Sequence, residues 1–87
     1  MVEKNFIITD ETGIHARPAT QLVNAANQFS SEISLIYSDK TVNLKSIMGV
    51  MSLGIPQDAQ ITIQVKGTDE VEALSGITAV IKDGLGE

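Results

Sequence analysis

The chain has 87 residues, 43% of them apolar, with a net charge of −5 and no cysteine, which fits one small domain around a single continuous core. The absence of cysteine excludes a disulfide framework and a thiolate zinc site, and one histidine cannot build a His-based metal cluster. The acidic balance and only three aromatics (Phe6, Phe29, Tyr37) argue against nucleic acid as a direct partner.

The first ten residues carry Glu3 and Asp10 without a long apolar segment, so no secretory signal is expected. No stretch approaches the roughly 20 apolar residues of a membrane span, so no membrane insertion is expected and the location should be cytoplasmic. Val2 to Ile8 reads as a strand, with Val2, Phe6 and Ile8 on one parity. Asp10 to Gly13 is a polar turn. From Pro18 to Gln28 the residues Ala19, Leu22, Val23, Ala26 and Phe29 recur at helical spacing. Ile33, Leu35 and Tyr37 alternate in a strand over Glu32 to Tyr37, and a turn at Ser38-Asp39-Lys40 leads to a short strand over Thr41 to Leu44. Ile47 to Leu53 reads as a short helix ending near Gly54, and Gln60 to Lys66 as a strand alternating Ile61, Ile63 and Val65. Asp69 and Glu72 have capping-box spacing before a last helix whose apolar face is predicted to hold Val71, Leu74, Thr78, Ile81 and Leu85. Lys82 and Gly84 form a C-terminal stop. The order β-α-β-β-α-β-α predicts an α+β open-faced sandwich, with three helices on one face of a four-stranded sheet, as a single domain over residues 1–87.

The richest segment is Gly13-Ile14-His15-Ala16-Arg17-Pro18-Ala19-Thr20-Gln21, which holds the only histidine. Pro18 suits a first helical turn but disfavours helical dihedrals at Arg17, so the helix should start at Arg17 or one residue to either side. No Ser, Thr, Asp or Asn stands there to cap it. An uncapped helix start offers N–H groups and a positive dipole end to an anion, and Arg17 adds a charged fork. An imidazole nitrogen, an anion cradle and a guanidinium thus converge within three residues, as a phosphoryl group carried on histidine requires. On residue types alone, a lone histidine is more often an ordinary surface residue. Thr12 is a candidate supporting hydroxyl beside His15, while Asp10 and Glu11 read as a solvated loop without a role.

Ser46 directly precedes the short helix, where serine is a favoured N-cap. Five apolar side chains follow within seven positions: Ile47, Met48, Val50, Met51 and Leu53. So short a helix cannot bury them all. Val50 and Leu53 are expected to join the core, leaving Ile47, Met48 and Met51 as a docking patch adaptable to several partners.

Two stretches, Gly13-Ile14-His15-Ala16-Arg17-Pro18-Ala19-Thr20 and Val42-Asn43-Leu44-Lys45-Ser46-Ile47-Met48-Gly49-Val50-Met51-Ser52-Leu53-Gly54, resemble the active-site and regulatory-serine segments of the HPr family. These are the phosphocarriers of the bacterial phosphoenolpyruvate-dependent sugar phosphotransferase system, here of the low-GC Gram-positive type. The resemblance extends along essentially the whole chain to Gly84-Leu85-Gly86-Glu87. Departures fall at Pro56-Gln57-Asp58, Gln21 and Asn24 to Asn27, outside both motifs. The resemblance implies an antiparallel sheet and a phosphohistidine at Nδ1 of His15, with Arg17 assisting. It also implies regulatory phosphorylation at Ser46; the candidate binding residues around the two sites are Thr12, Ala16, Pro18 and Thr20 near His15 and Ile47, Met48 and Met51 beside Ser46.

The implied partners are enzyme I as phosphoryl donor and IIA domains of sugar permeases as acceptors. An HPr kinase/phosphorylase would act on Ser46, and the catabolite control protein would bind the phosphoserine form. No cofactor is implied, the chain is expected to be a monomer, and it would be a carrier rather than an enzyme. A purely regulatory module acting through Ser46 is the main alternative, disfavoured by His15. A small hydrolase using His15 as base lacks a visible nucleophile or metal partner.

Overall fold

The computed structural model describes all 87 residues, Met1–Glu87. In chain order the elements are β1 (Val2–Ile7), α1 (Ala16–Ala26), β2 (Glu32–Tyr37), β3 (Lys40–Asn43), α2 (Ile47–Ser52), β4 (Gln60–Lys66) and α3 (Glu70–Lys82). The four strands form one antiparallel sheet in the order β1-β4-β2-β3. β4 is central, and its alternation explains why: Ile61, Ile63 and Val65 are all buried. They face the helices together with Phe6 of β1 and with Ile33 and Leu35 of β2. The opposite face is polar and pinned across strands. The Thr62 hydroxyl donates to Asn5 Oδ1 at 2.7 Å, and the Gln64 amide donates to Glu3 Oε1 at 3.0 Å.

α1 contributes Pro18, Ala19, Leu22 and Ala26 to the core, close to the predicted stripe. Its first residue is Ala16, and it ends two residues before the predicted Gln28. β3 begins one residue earlier than predicted because Ser38 takes a positive φ of 57°, which tightens the turn and lets Lys40 pair with Tyr37.

Two expectations for α3 are corrected. Its buried positions are Ala73, Ile77 and Ile81, whereas Val71 is 69% exposed and Leu74 and Thr78 are only half-buried. The packed face runs through Ala73, Ile77 and Ile81, with Gly76 beside it leaving room for Phe29. A Cβ on Gly76 would sit 3.0 Å from the Phe29 ring, so that side of α3 fits closely against the end of α1. The capping box does not form either. Asp69 occupies the N-cap position without capping; its carboxylate accepts the Ser30 and Ser31 N–H groups, each at 3.0 Å, and the buried Ser31 hydroxyl. Leu85 is buried just beyond the helix rather than on it.

The loop after β1 is held from two sides. Thr9 and Asp10 donate backbone N–H groups to the Leu85 carbonyl at 2.9 and 3.2 Å, and Ile14 donates to the Ile55 carbonyl at 2.9 Å. Gly13 has φ +66°, and a Cβ there would meet Pro56 backbone atoms at 2.8 and 2.9 Å, so glycine alone fits this close crossing.

Candidate functional site

His15 is the N-cap residue of α1, with extended backbone (φ −93°, ψ −171°), and no side chain caps the helix. Its carbonyl accepts the Ala19 N–H at 3.0 Å, starting the helical ladder. The Ala16 and Arg17 N–H groups find no acceptor within the protein, and Pro18 has none to offer. Two donors and the positive end of the helix dipole are therefore available beside the imidazole. The His15 side chain is 44% exposed.

A shallow cavity of about 220 Å³ joins His15 and Arg17 with Asp10, Pro18, Gln21, Asp83, Gly84 and Leu85. Its lining is mainly polar, and it opens to solvent. The segment after α3 closes one side, so the start of α1 and the end of α3 meet there. Asp10, read from the sequence as part of a solvated loop without a role, lines this cavity, as do Gln21 and Asp83, which the sequence did not mark as site residues: an acidic residue in a turn and one at a helix end carry no local signal of convergence.

Asp10 is fixed in place. Its Oδ1 accepts the Thr12 N–H at 3.0 Å and the Thr12 hydroxyl at 2.8 Å, while Oδ2 lies 4.0 Å from His15 Nε2. These bonds, led by the Thr12 backbone N–H, hold the Asp10 carboxyl below the usual carboxylate range; the nearby imidazole adds a smaller contribution in the same direction. Thr12 thus bonds to Asp10 rather than to the histidine. Thr20 turns back into its own helix, donating to the Ala16 carbonyl at 2.8 Å. Ala16 is exposed at the helix start. No group of three His, Cys, Asp or Glu side chains comes together with metal-ligand spacing.

A second surface begins at Ser46. Its hydroxyl caps α2, accepting the Gly49 N–H at 3.1 Å. Val50 and Leu53 lie in the core, while Met48 is 80%, Met51 41% and Ile47 39% exposed. Two contacts fix this surface relative to α1. Asn27, at the end of α1, donates to the Lys45 carbonyl at 3.4 Å, and Lys45 Nζ reaches the Phe29 carbonyl at 2.7 Å. At the other end, Ile55 meets Ile14. α2 therefore runs back alongside α1, from the region of Ser46 toward the region of His15, with the exposed apolar side chains in between.

A family model described as the PTS HPr component phosphorylation site matches residues 2–83. The chain belongs to the HPr phosphocarrier family of the sugar phosphotransferase system. The histidine-containing phosphocarrier protein of Mycoplasma is 42% identical over 99% of both chains, with a TM-score of 0.95. Phosphocarrier protein HPr from Bacillus anthracis is 43% identical over 91% of this chain and 94% of that one, with a TM-score of 0.84. Crh, the catabolite repression containing protein of Bacillus subtilis, is 39% identical over 98% of both chains, with a TM-score of 0.76, and was found as a swapped, intertwined dimer. The HPr fold, a four-stranded antiparallel sheet with three helices in the order βαββαβα, is the fold of this chain.

Proposed function

We propose that His15 accepts a phosphoryl group from phospho-enzyme I and passes it to IIA domains of sugar permeases, and that Ser46 is a separate regulatory phosphorylation site. The observation that carries the carrier reading is the solvent-facing imidazole at an uncapped helix start, sharing one cavity with Arg17. On this reading the Nδ1 lone pair attacks phosphorus, the donor's bond to phosphorus breaks, and its electron pair leaves with the donor. The free Ala16 and Arg17 N–H groups and the Arg17 guanidinium stabilise charge on the phosphoryl oxygens. The cavity is shallow and open, which suits a group that must be handed on. Partner enzymes complete the surroundings of the transition state, and the chain is a carrier rather than an enzyme, working as a cytoplasmic monomer.

Regulation rests on Ser46 capping α2 at the edge of the Ile47, Met48 and Met51 surface. A phosphate there adds about −1.5 to −2 charge. α1, which separates the Ser46 end from His15, spans about 16 Å, beyond a Debye length of about 8 Å in physiological salt. The dianion therefore acts through docking rather than directly on His15. It repels acidic partners and recruits basic ones, with an HPr kinase/phosphorylase as the modifying enzyme and the catabolite control protein as the reader. The likeness to Crh gives specific support to this second role.

Intact mass after incubation with phosphoenolpyruvate and enzyme I tests the carrier reading. The expected result is one acid-labile phosphoryl group on the wild type and none on His15→Ala. No gain with active enzyme I would leave the Ser46-centred regulatory module as the better account.

A further inference from the structure

Two carboxylates line the His15 cavity, Asp10 and Asp83, and Asp10 is the one within ion-pair distance of the ring. Asp10 is held by its backbone N–H to the Leu85 carbonyl (3.2 Å), by its carbonyl to the Gly13 N–H (2.9 Å) and by the two Thr12 bonds to Oδ1. Every constraint leaves Oδ2 turned to the Nε2 edge of the imidazole. We propose that Asp10 is a positioning residue for phosphoryl transfer: its fixed carboxylate holds the neutral His15 ring as the tautomer with the proton on Nε2, leaving the Nδ1 lone pair free for phosphorus. This inference rests on the reading of His15 as the phosphoryl acceptor.

An ionised carboxylate only accepts, so a ring nitrogen that bonds to it, directly or through a water, carries the proton. The Thr12 bonds favour the ionised form of Asp10. Arg17 from α1 has no acceptor to offer, and Asp83, on the segment after α3, makes no ion pair with the ring, so Asp10 is the carboxylate paired with His15. A separation of 4.0 Å exceeds a direct hydrogen bond. A small ring rotation or one bridging water closes it, as catalytic contacts tighten when a reactant binds.

The scheme balances without proton release. The Nδ1–P bond forms from the free lone pair as the donor's bond to phosphorus breaks. The Nε2 proton stays, and the resulting cationic ring is neutralised by Asp10. On donation the N–P electron pair returns to Nδ1, restoring the same neutral tautomer for the next cycle.

Two substitutions separate positioning from a merely structural role in the turn. Asp10→Asn keeps an oxygen for Thr12, whose N–H fixes which way the amide points, and so aims an NH2 donor at Nε2. That favours the Nδ1–H tautomer and blocks the nucleophile. Asp10→Ala removes the turn bonds and leaves the ring free to choose. The measurements are ring ¹⁵N shifts of the neutral imidazole, which report the tautomer, and the phosphorylation rate with phosphoenolpyruvate and enzyme I. The expected result is Nε2–H in the wild type, a shift to Nδ1–H in Asp10→Asn, and rates in the order wild type, Asp10→Ala, Asp10→Asn. The last step should be about three- to tenfold, the scale of a partly exposed contact. A structural role predicts Asp10→Asn transferring faster than Asp10→Ala, because asparagine keeps the turn and alanine loses its Thr12 bonds. Nδ1–H in the wild type, or Asp10→Asn transferring as fast as Asp10→Ala, overturns the proposal. A wild type that stays unphosphorylated by active enzyme I overturns the carrier reading, and the transfer role with it, even where the ¹⁵N shifts place the proton on Nε2.

Discussion

Arg17 is exposed, yet it lines the same cavity as His15, so its side chain adds little to packing and much to the local field. Arg17→Ala should leave the urea midpoint nearly unchanged, within about 0.5 kcal/mol as for other surface changes. Phosphoryl transfer from phospho-enzyme I, followed by rapid quench, should slow about a hundredfold, the scale of losing one donor to developing charge. Arg17→Lys should recover only part of the rate, because an ammonium restores charge but not the planar fork. A rate unchanged by Arg17→Ala would reduce the residue to a surface charge. Asp69 presents the opposite case, a residue far from the cavity that serves the fold. The hydroxyl of buried Ser31, followed by the Ser30 N–H, holds its carboxyl below the usual range. A depressed folded value contributes stability that is fully present above the unfolded value of about 3.9 and is lost as pH falls through the folded one. Asp69→Asn should therefore lower the melting temperature at pH 7, with the difference from wild type shrinking below about pH 4. Asp10 is also depressed, but it is common to both proteins and cancels in the comparison.

At the scale of elements, α2 is a six-residue helix whose start depends on one hydroxyl. Ser46→Ala removes the acceptor for the Gly49 N–H and should cost about 1 kcal/mol in urea unfolding. Ser46→Asp keeps an acceptor and adds negative charge at a helix N-terminus, so it should be at least as stable as the wild type. Amide shifts in Ser46→Asp should change mainly from Lys45 to Met51; changes spread through α1 and the sheet would contradict a switch that works by surface charge. The same elements show what could be read in the sequence. β4 was legible because Ile61, Ile63 and Val65 alternate without ambiguity, and its bounds match. The start of α1 was legible because Pro18 and the missing cap both act locally. The packed face of α3 was not. Val71, Ala73, Leu74, Ile77, Val80 and Ile81 offer overlapping stripes, and the choice between them falls to Phe29 against Gly76, a contact across 47 positions of sequence. Asp69 likewise looked like a local cap and was taken by serines 38 and 39 residues away. Asp10 read as a solvated loop residue without a role for a related reason, since only the fold turns its second oxygen toward the imidazole.

Across the whole molecule, the C-terminal tail connects the fold to the cavity. Ile7 and Glu87 exchange backbone hydrogen bonds at 2.8 and 2.9 Å, and Ile8 bridges Gly86, so the tail lies along the outer edge of β1. The Leu85 carbonyl then accepts both Thr9 and Asp10, and the Leu85 side chain is buried. The tail thus covers part of an edge strand and braces the turn that carries Asp10 toward His15. Leu85→Ala keeps the backbone but weakens the anchor, at a cost of about 2–3 kcal/mol for truncating a buried leucine at a margin that can partly relax. Its effect should be uneven, because regions with few buried contacts open locally before the core does. Amide exchange at Thr9 and Asp10 should accelerate well beyond that at Ile63 in the central strand, and phosphoryl transfer should fall while the sheet stays folded. Equal acceleration at all three amides would make Leu85 an ordinary core residue; unchanged exchange at Thr9 and Asp10 would mean that Thr12 and Gly13 alone hold the turn.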